Sequence, residues 1–319
     1  MTSSASSPKT SVRHFIDLCD VTATDLRLII DRSMAAKAAR KGLPKGEVDS
    51  GAPGAGRALA MIFEKSSTRT RVSFEMAMQQ LGGNTLVMQG QDMQLGRGES
   101  TADTARVMTR YVDGVMIRSN SHAMVQELAD HSDIPIINAL TDRSHPCQIM
   151  ADIMTFEEHK GPITGRTVTW VGDGNNVAVS WIEAAARFGC TLRLACPAEY
   201  LPPQDVIDWA NRNGGKVILT DDPRAAAEGS DCIIADTWVS MGDDDVDERL
   251  KTFAPYQVNA DLMRLADPEA IFMHCLPAYR GKEVTADVLD GPQSVIWDEA
   301  ENRLHAQKGV LLWCFGLLS

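Results

Sequence analysis

Ala58-Leu59-Ala60-Met61-Ile62-Phe63-Glu64-Lys65-Ser66-Ser67-Thr68-Arg69-Thr70-Arg71-Val72-Ser73-Phe74-Glu75 runs from an apolar stretch into a helical pattern, with a dense set of donors at the junction. Residues 58–63 read as a buried strand, and the spacing of Val72, Phe74, Met76 and Leu81 reads as a helix. A helix opening there leaves backbone N–H groups unpaired and presents the positive end of its dipole. Ser67, Thr68 and Thr70 add hydroxyls, while Arg69 and Arg71 add planar forks suited to phosphate. The bland alternative is a capped helix with solvated arginines, but this density of donors favours an anion site. The run lacks the Gly-Lys-Ser/Thr form of a nucleotide P-loop, which points to a small phosphate compound.

Outward from this junction, strand and helix alternate. Asp25–Ala39 has helical spacing, and Lys41–Arg57 reads as a Gly/Pro-punctuated loop. Strands are expected at 84–88, 114–118 and 134–137, with helices near 101–111 and 122–131. A second series of strands is expected at 167–171, 191–195, 216–219, 231–235 and 270–273. Cys147–His159 reads as a connecting helix between the two series, and a final helix over about 299–315 is too apolar to be a solvated tail. The fold class is therefore α/β with two domains, each a parallel β-sheet flanked by helices. The boundary is placed near 150, giving domains 1–150 and 151–319, with the last helix packed on the body of the protein.

A chain of 319 residues has room for two domains. Its net charge of −12 argues against a nucleic-acid partner. Seven cysteines, an odd count without a C-x-x-C pair, suit a reducing compartment better than a disulfide framework. Residues 1–10 have no apolar core for a signal peptide, and no apolar run has the length of a membrane span. A cytoplasmic protein without membrane contact is the expectation.

In an open α/β sheet, ligands bind beyond the carboxyl ends of the strands, and several polar groups stand at such positions. Gly172-Asp173-Gly174-Asn175-Asn176-Val177 invites a dinucleotide reading, but Val177 stands where the third glycine belongs. Asn175 and Asn176 instead offer amides at a helix start, suited to an amino-acid backbone. His145-Pro146-Cys147-Gln148 sets an imidazole before a helix with Pro146 at its first position. With Arg118 at a strand end, His145 and Gln148 could polarise a carbonyl.

Cys275, within His274-Cys275-Leu276-Pro277, is the one cysteine expected at the ligand crevice. Asp236 to Gly242 also follows a strand, and Asp243 to Glu248 reads as its continuation into a charged lid for a cationic substrate. No His/Cys/Asp/Glu set has convincing metal-ligand spacing, and nothing requires a cofactor.

Taken together, Ser67–Arg71, His145–Gln148, Asp173–Asn176, Asp236–Gly242 and His274–Pro277 closely resemble the ornithine carbamoyltransferase family. Gln94-Leu95-Gly96 and Glu299-Ala300-Glu301-Asn302-Arg303 match that family too, so the resemblance spans nearly the whole chain. It implies transfer of the carbamoyl group of carbamoyl phosphate to the δ-amine of L-ornithine, giving citrulline in arginine biosynthesis. It also implies a last helix that crosses back to the first domain, and a homotrimer with active sites shared between subunits. By matching positions, Ser67, Thr68, Arg69 and Thr70 would hold phosphate, with Gln94 supplied by a neighbour. Arg118, His145 and Gln148 would grip the carbamoyl oxygen, Arg303 and the Cys275-Leu276 segment would complete that pocket, and Asn176, Asp236, Ser240 and Met241 would orient ornithine. Arg118 and His145 would stabilise the oxyanion, and Asp236 or Cys275 would position or deprotonate the amine.

Aspartate is disfavoured as acceptor, because its carboxylates need cationic residues that Asp236 and the Ser240–Gly242 segment do not supply. Putrescine and N-acetylornithine are the nearer rivals. A non-catalytic paralogue and a dinucleotide-dependent oxidoreductase are the readings from other classes.

Overall fold

In the computed structural model, which describes residues 12–93, 98–239 and 246–318, the chain alternates strand and helix in two series. The first comprises α1 (Ala23–Ala39), β1 (Ala58–Phe63), α2 (Thr68–Leu81), β2 (Asn84–Gln89), α3 (Thr101–Tyr111), β3 (Gly114–Arg118), α4 (His122–Asp130) and β4 (Ile136–Leu140). These four strands form one parallel sheet in the order β2-β1-β3-β4. After α5 (Pro146–Lys160) come β5 (Thr167–Val171), α6 (Asn176–Phe188), β6 (Thr191–Ala195), α7 (Gln204–Arg212), β7 (Lys216–Thr220), α8 (Pro223–Ala227) and β8 (Cys232–Ala235). Then follow α9 (Val246–Phe253), α10 (Ala260–Met263), β9 (Ile271–His274), α11 (Ala286–Leu289) and α12 (Ile296–Cys314). The second sheet is also parallel, in the order β7-β6-β5-β8-β9.

The inner strands β1, β3, β5 and β8, buried along nearly their whole length, are the ones that read as apolar runs. Strand limits match the sequence pattern to within a residue at all but one strand. The exception is β4, expected at 134–137 and found at Ile136–Leu140. The Ser132 hydroxyl accepts from the Ile134 N–H at 3.2 Å and donates to the Ile134 carbonyl at 2.8 Å, holding a turn. Pro135 has no N–H for the ladder, so the strand starts after it.

Hydroxyl caps start four helices of the first series: Thr22, Ser67, Ser100 and Ser121 each accept from a backbone N–H three residues on. Gly82 ends α2 at φ +81°, a left-handed conformation that a Cβ would penalise.

Helices α5 and α12 tie the two sheets together. α5 is buried from Pro146 to Phe156, as a helix enclosed on all sides must be. α12 lies against it, with Asn302 donating to the Thr155 hydroxyl at 2.9 Å. As expected, α12 returns to the first series: buried Lys308 pairs with Asp49 and donates to Gln80 at 3.2 Å. Gly309 lets it approach α1, since a Cβ there would overlap the Ser33 hydroxyl and lie 2.9 Å from the Ile29 carbonyl.

Candidate functional site

The strand order reverses between β1 and β3 in one sheet and between β5 and β8 in the other, and the donor-bearing segments lie at the carboxyl ends of these strands. After β1, Ser67 caps α2 by accepting from the Thr70 N–H at 3.3 Å. Thr68 and Arg69 stand exposed in the first turn, while the buried Thr70 hydroxyl accepts from Arg303 at 2.8 Å. Arg71 leaves this group, contrary to the density argument: it is exposed, 3.6 Å from Glu75 one turn along the helix.

Arg118 ends β3. Burial first, then Arg303 and Arg69, pull its guanidinium down to about 10, and no carboxylate figures among the charges acting on it. Among the described residues, Nε of Arg118 and Nε of Arg303 are buried without a hydrogen-bond partner. Three guanidinium groups close enough to repel one another make a site for an anion.

His145 precedes α5, and Pro146 takes the first helical position as expected. The His145 backbone N–H donates to the Ser180 hydroxyl at 2.8 Å, and the ring is buried with Nδ1 unpartnered. Burial, then Arg303, Arg118 and Arg69, push its pKa well below the usual imidazole range. A neutral ring has one N–H to donate to a developing oxyanion.

Gln148, fully buried, donates through Nε2 to Asp152 at 2.7 Å and to Glu299 at 3.0 Å, while its carbonyl oxygen accepts from Arg303. That oxygen keeps one lone pair free for a further N–H.

The second sheet contributes a carboxylate. Asp236 follows β8 and accepts from Thr237 N–H at 2.7 Å, from the Asn175 amide at 2.8 Å and from the Cys275 thiol at 3.2 Å. Cys275 is half-buried, as is Cys19, whereas the other five cysteines are buried. Burial, then Asp236, raise the Cys275 thiol well above its ordinary value, so it is a donor rather than a thiolate.

The expectation that both asparagine amides face a ligand needs correction. Asn175 caps α6, accepting from Val177 and Ala178 N–H groups, so its side chain is committed to the protein. Asn176 donates to the Thr141 carbonyl at 2.6 Å across to the first series, and its amide oxygen remains a candidate acceptor.

The charged loop expected through Glu248 does not extend that far. Val246 to Glu248 open α9, where acidic side chains complement the helix dipole. Arg249 fastens the region by donating to the Trp238 carbonyl at 2.7 Å and pairing with Asp173. Ser240, Met241, Gln94 and the tract 243–245 lie outside the described residues.

Sequence reasoning missed two features. Donor atoms of Asp236, His274 and Cys275 lie within 4.8 Å of one another, as do those of Asp17, Cys19 and Glu183. The first group arises because β8 and β9 are neighbours with Ala235 opposite His274, a pairing that linear spacing does not reveal. Asp152 and Glu299 behind Gln148 were missed as well, although Gln148 and Asp152, four apart in an apolar helix, were a visible signal. Beside the N-terminus of α2 lies an open groove of about 870 Å³, lined by Lys37, Leu43, Thr68, Arg69, Val72 and Leu304 among others.

Comparison with known proteins gives a consistent picture. Residues 13–158 match the family model described as aspartate/ornithine carbamoyltransferase, carbamoyl-P binding domain, and residues 164–314 match its Asp/Orn binding domain. The ornithine carbamoyltransferase of Caulobacter vibrioides is 59% identical over 311 residues, which is 97% of this chain and 99% of that protein. The structure of ornithine carbamoyltransferase from Pyrococcus furiosus superposes with a TM-score of 0.90 at 48% identity, covering 96% of this chain and 98% of the other. That of the anabolic ornithine carbamoyltransferase from Campylobacter jejuni gives 0.85 at 36% identity, covering 95% and 98%.

Proposed function

The chain belongs to the aspartate/ornithine carbamoyltransferase family, and we propose that it transfers the carbamoyl group of carbamoyl phosphate to the δ-amine of L-ornithine, giving L-citrulline and phosphate, as a step in arginine biosynthesis. The observation that carries this reading is the facing of two unlike halves. Arg69, Arg118 and Arg303 form an anion site beside neutral His145, while Asp236, held by Asn175 and Cys275, supplies a carboxylate from the other sheet.

Ser67, Thr68, Arg69 and Thr70 hold the phosphate at the α2 N-terminus. Arg118 and His145 donate to the carbamoyl oxygen, and the free lone pair of the Gln148 carbonyl accepts from the carbamoyl NH₂. Arg303 braces Thr70 and Gln148 from α12, and Cys275-Leu276 closes this pocket. The amine nitrogen attacks the carbamoyl carbon, a tetrahedral oxyanion forms, and the carbon–oxygen bond to phosphate breaks as the second proton of the attacking nitrogen passes to the departing phosphate. An alkylammonium with a pKa of about 10.4 must lose a proton first. Asp236 is the acceptor in this scheme, because the Cys275 thiol already holds its own proton and donates it to Asp236. Asn176, Ser240 and Met241 orient the rest of ornithine.

Residues 1–150 are assigned to carbamoyl phosphate and 151–319 to ornithine. A homotrimer with shared sites, each receiving Gln94 from a neighbour, is supported by the open groove that reaches Thr68 and Arg69 and by Val72, 53% exposed beside it. The free thiols support a reducing, cytoplasmic setting. No helix among the described residues is long and apolar enough to cross a membrane.

Colorimetric citrulline production with carbamoyl phosphate tests the proposal, with ornithine, putrescine, N-acetylornithine and aspartate as acceptors. A strong preference for ornithine is expected. Preference for another amine would keep the phosphate site and overturn the assignment of Asn176, Asp236 and Ser240. Inactivity with all four would leave a non-catalytic paralogue.

A further inference from the structure

Asp152 and Glu299 take no step in this chemistry, yet each is only 1% exposed and both lie against the amide of Gln148. We propose that this carboxyl pair is the positioning device of the carbamoyl subsite: it fixes which way Gln148 points and ties that amide to the segment carrying Cys275. The proposal rests on the carbamoyl transfer reading above.

An amide can turn about its last bond unless its surroundings distinguish oxygen from nitrogen. Here the two carboxyls take both N–H groups, at 2.7 Å to Asp152 and 3.0 Å to Glu299, and the oxygen is left to face Arg303. A turned amide would set N–H against guanidinium and oxygen against two carboxyls, losing all three bonds. The orientation leaves an acceptor, not a donor, toward the site. That selects a ligand with an N–H to give, as a carbamoyl group has and inorganic phosphate lacks.

The other Glu299 oxygen accepts from the His274 backbone N–H at 2.8 Å, and the His274 ring accepts from Leu276 N–H at 2.9 Å. Asp152 is anchored in turn by the Trp181 indole at 3.2 Å. One buried side chain therefore sets both the amide that reads the first substrate and the turn whose cysteine holds Asp236 for the second. Burial, then the charge of Asp152, raise Glu299 well above the usual carboxyl range. Two carboxylates on one buried site cannot both ionise, so Glu299 keeps a proton and the pair carries one negative charge beside Arg303.

Calorimetric titration of carbamoyl phosphate and of inorganic phosphate, in the cold, into the parent chain, Glu299→Ala and Glu299→Gln tests this. Glu299→Ala should weaken carbamoyl phosphate at least tenfold and phosphate less than threefold. Glu299→Gln keeps a carbonyl for the His274 N–H but turns an NH₂ toward the Gln148 amide, so it should lie between the parent and Glu299→Ala for carbamoyl phosphate and within threefold of the parent for phosphate. Equal losses for the two ligands in Glu299→Ala, or no loss at all, would overturn the proposal. If Glu299→Ala does not fold, Glu299→Asp, too short to meet both Gln148 and His274, carries the same expectations. Citrulline formation by the parent is read separately. A parent that binds carbamoyl phosphate but makes no citrulline overturns the transfer reading, while the ligand comparison still decides the role of the pair.

Discussion

Replacing Arg118 with methionine should make the protein more stable and almost inactive. Burial first, then Arg303 and Arg69, lower its guanidinium to about 10. At 1.36 kcal/mol per pH unit this is a penalty of roughly 3 kcal/mol on the charged form. At neutral pH the group is charged in both folded and unfolded chains, so the whole penalty applies. It fades only as pH rises above about 10, where the unfolded chain still holds the proton and the folded chain has released it.

Residual solvent screening and the imperfect fit of methionine roughly halve the figure, leaving a gain of about 1.5 kcal/mol. For a chain of this size that is a rise in Tm of about 2–4 °C. In the proposed scheme the same substitution removes a donor to the oxyanion, a loss that typically lowers kcat by about 10²–10³-fold. Differential scanning calorimetry with and without inorganic phosphate, alongside citrulline assays, measures all three effects. The parent should gain stability from phosphate, and the variant should gain much less. A variant that melts below the parent, or one that keeps the full phosphate-dependent shift, would refute the claim that Arg118 is a strained cation awaiting an anion.

Asp236→Asn should lower kcat by about 10²-fold or more while leaving the KM for carbamoyl phosphate within about threefold, with partial recovery at high pH as free amine accumulates. An unchanged kcat in steady-state assays would remove Asp236 as proton acceptor. All seven cysteines are free and all have thiols raised above the ordinary value, burial being the first cause in each. A colorimetric disulfide reagent near neutral pH should therefore react quickly with none in the native protein and with all in denaturant; rapid labelling mapped to Cys275 would contradict its role as a protonated donor. Gly309→Ala should destabilise by about 2 kcal/mol in urea unfolding, because the clash with Ser33 and the Ile29 carbonyl outweighs the gain in helix propensity. A neutral or stabilising result would show that α1 and α12 can separate cheaply.

What could be read from the sequence follows a physical division. Buried parallel strands and hydroxyl-capped helices are local signals, so β1, β3, β5 and β6 stand where their apolar runs end. The junction at Ser67 was legible for the same reason. Where one local signal had two meanings, the reading slipped. Residues 246–248 read as part of a charged lid loop but start a helix, Asn175 looked like a ligand group but is a cap, and Arg71 looked like part of the anion site but faces outward. Contacts made by folding were not legible from residue patterns. Cys275 meets Asp236 only because β8 and β9 lie side by side, and Glu299 meets Asp152 only because α12 packs on α5.

That packing explains why the last helix must return to the first sheet. Glu299 and Arg303 are four residues apart and so share one face of α12. From that face Arg303 reaches Thr70 at the start of α2 and Gln148 on α5, while Glu299 reaches Gln148 and the backbone at the end of β9. The helix is anchored against α1 and α2 by Gly309 and by Lys308, whose buried charge has Asp49 and Gln80 as partners. A buried lysine is tolerable only with such partners, so this end of α12 is held in register, and the register sets where Glu299 and Arg303 stand. Two loops from different sheets, far apart in sequence, are thereby placed relative to one another by a single rigid element rather than by direct contact alone. An enzyme that must join an anionic donor bound on one sheet to an amine held on the other needs such a strut, because an error of about 1 Å at the reacting atoms costs on the order of 10²-fold in rate.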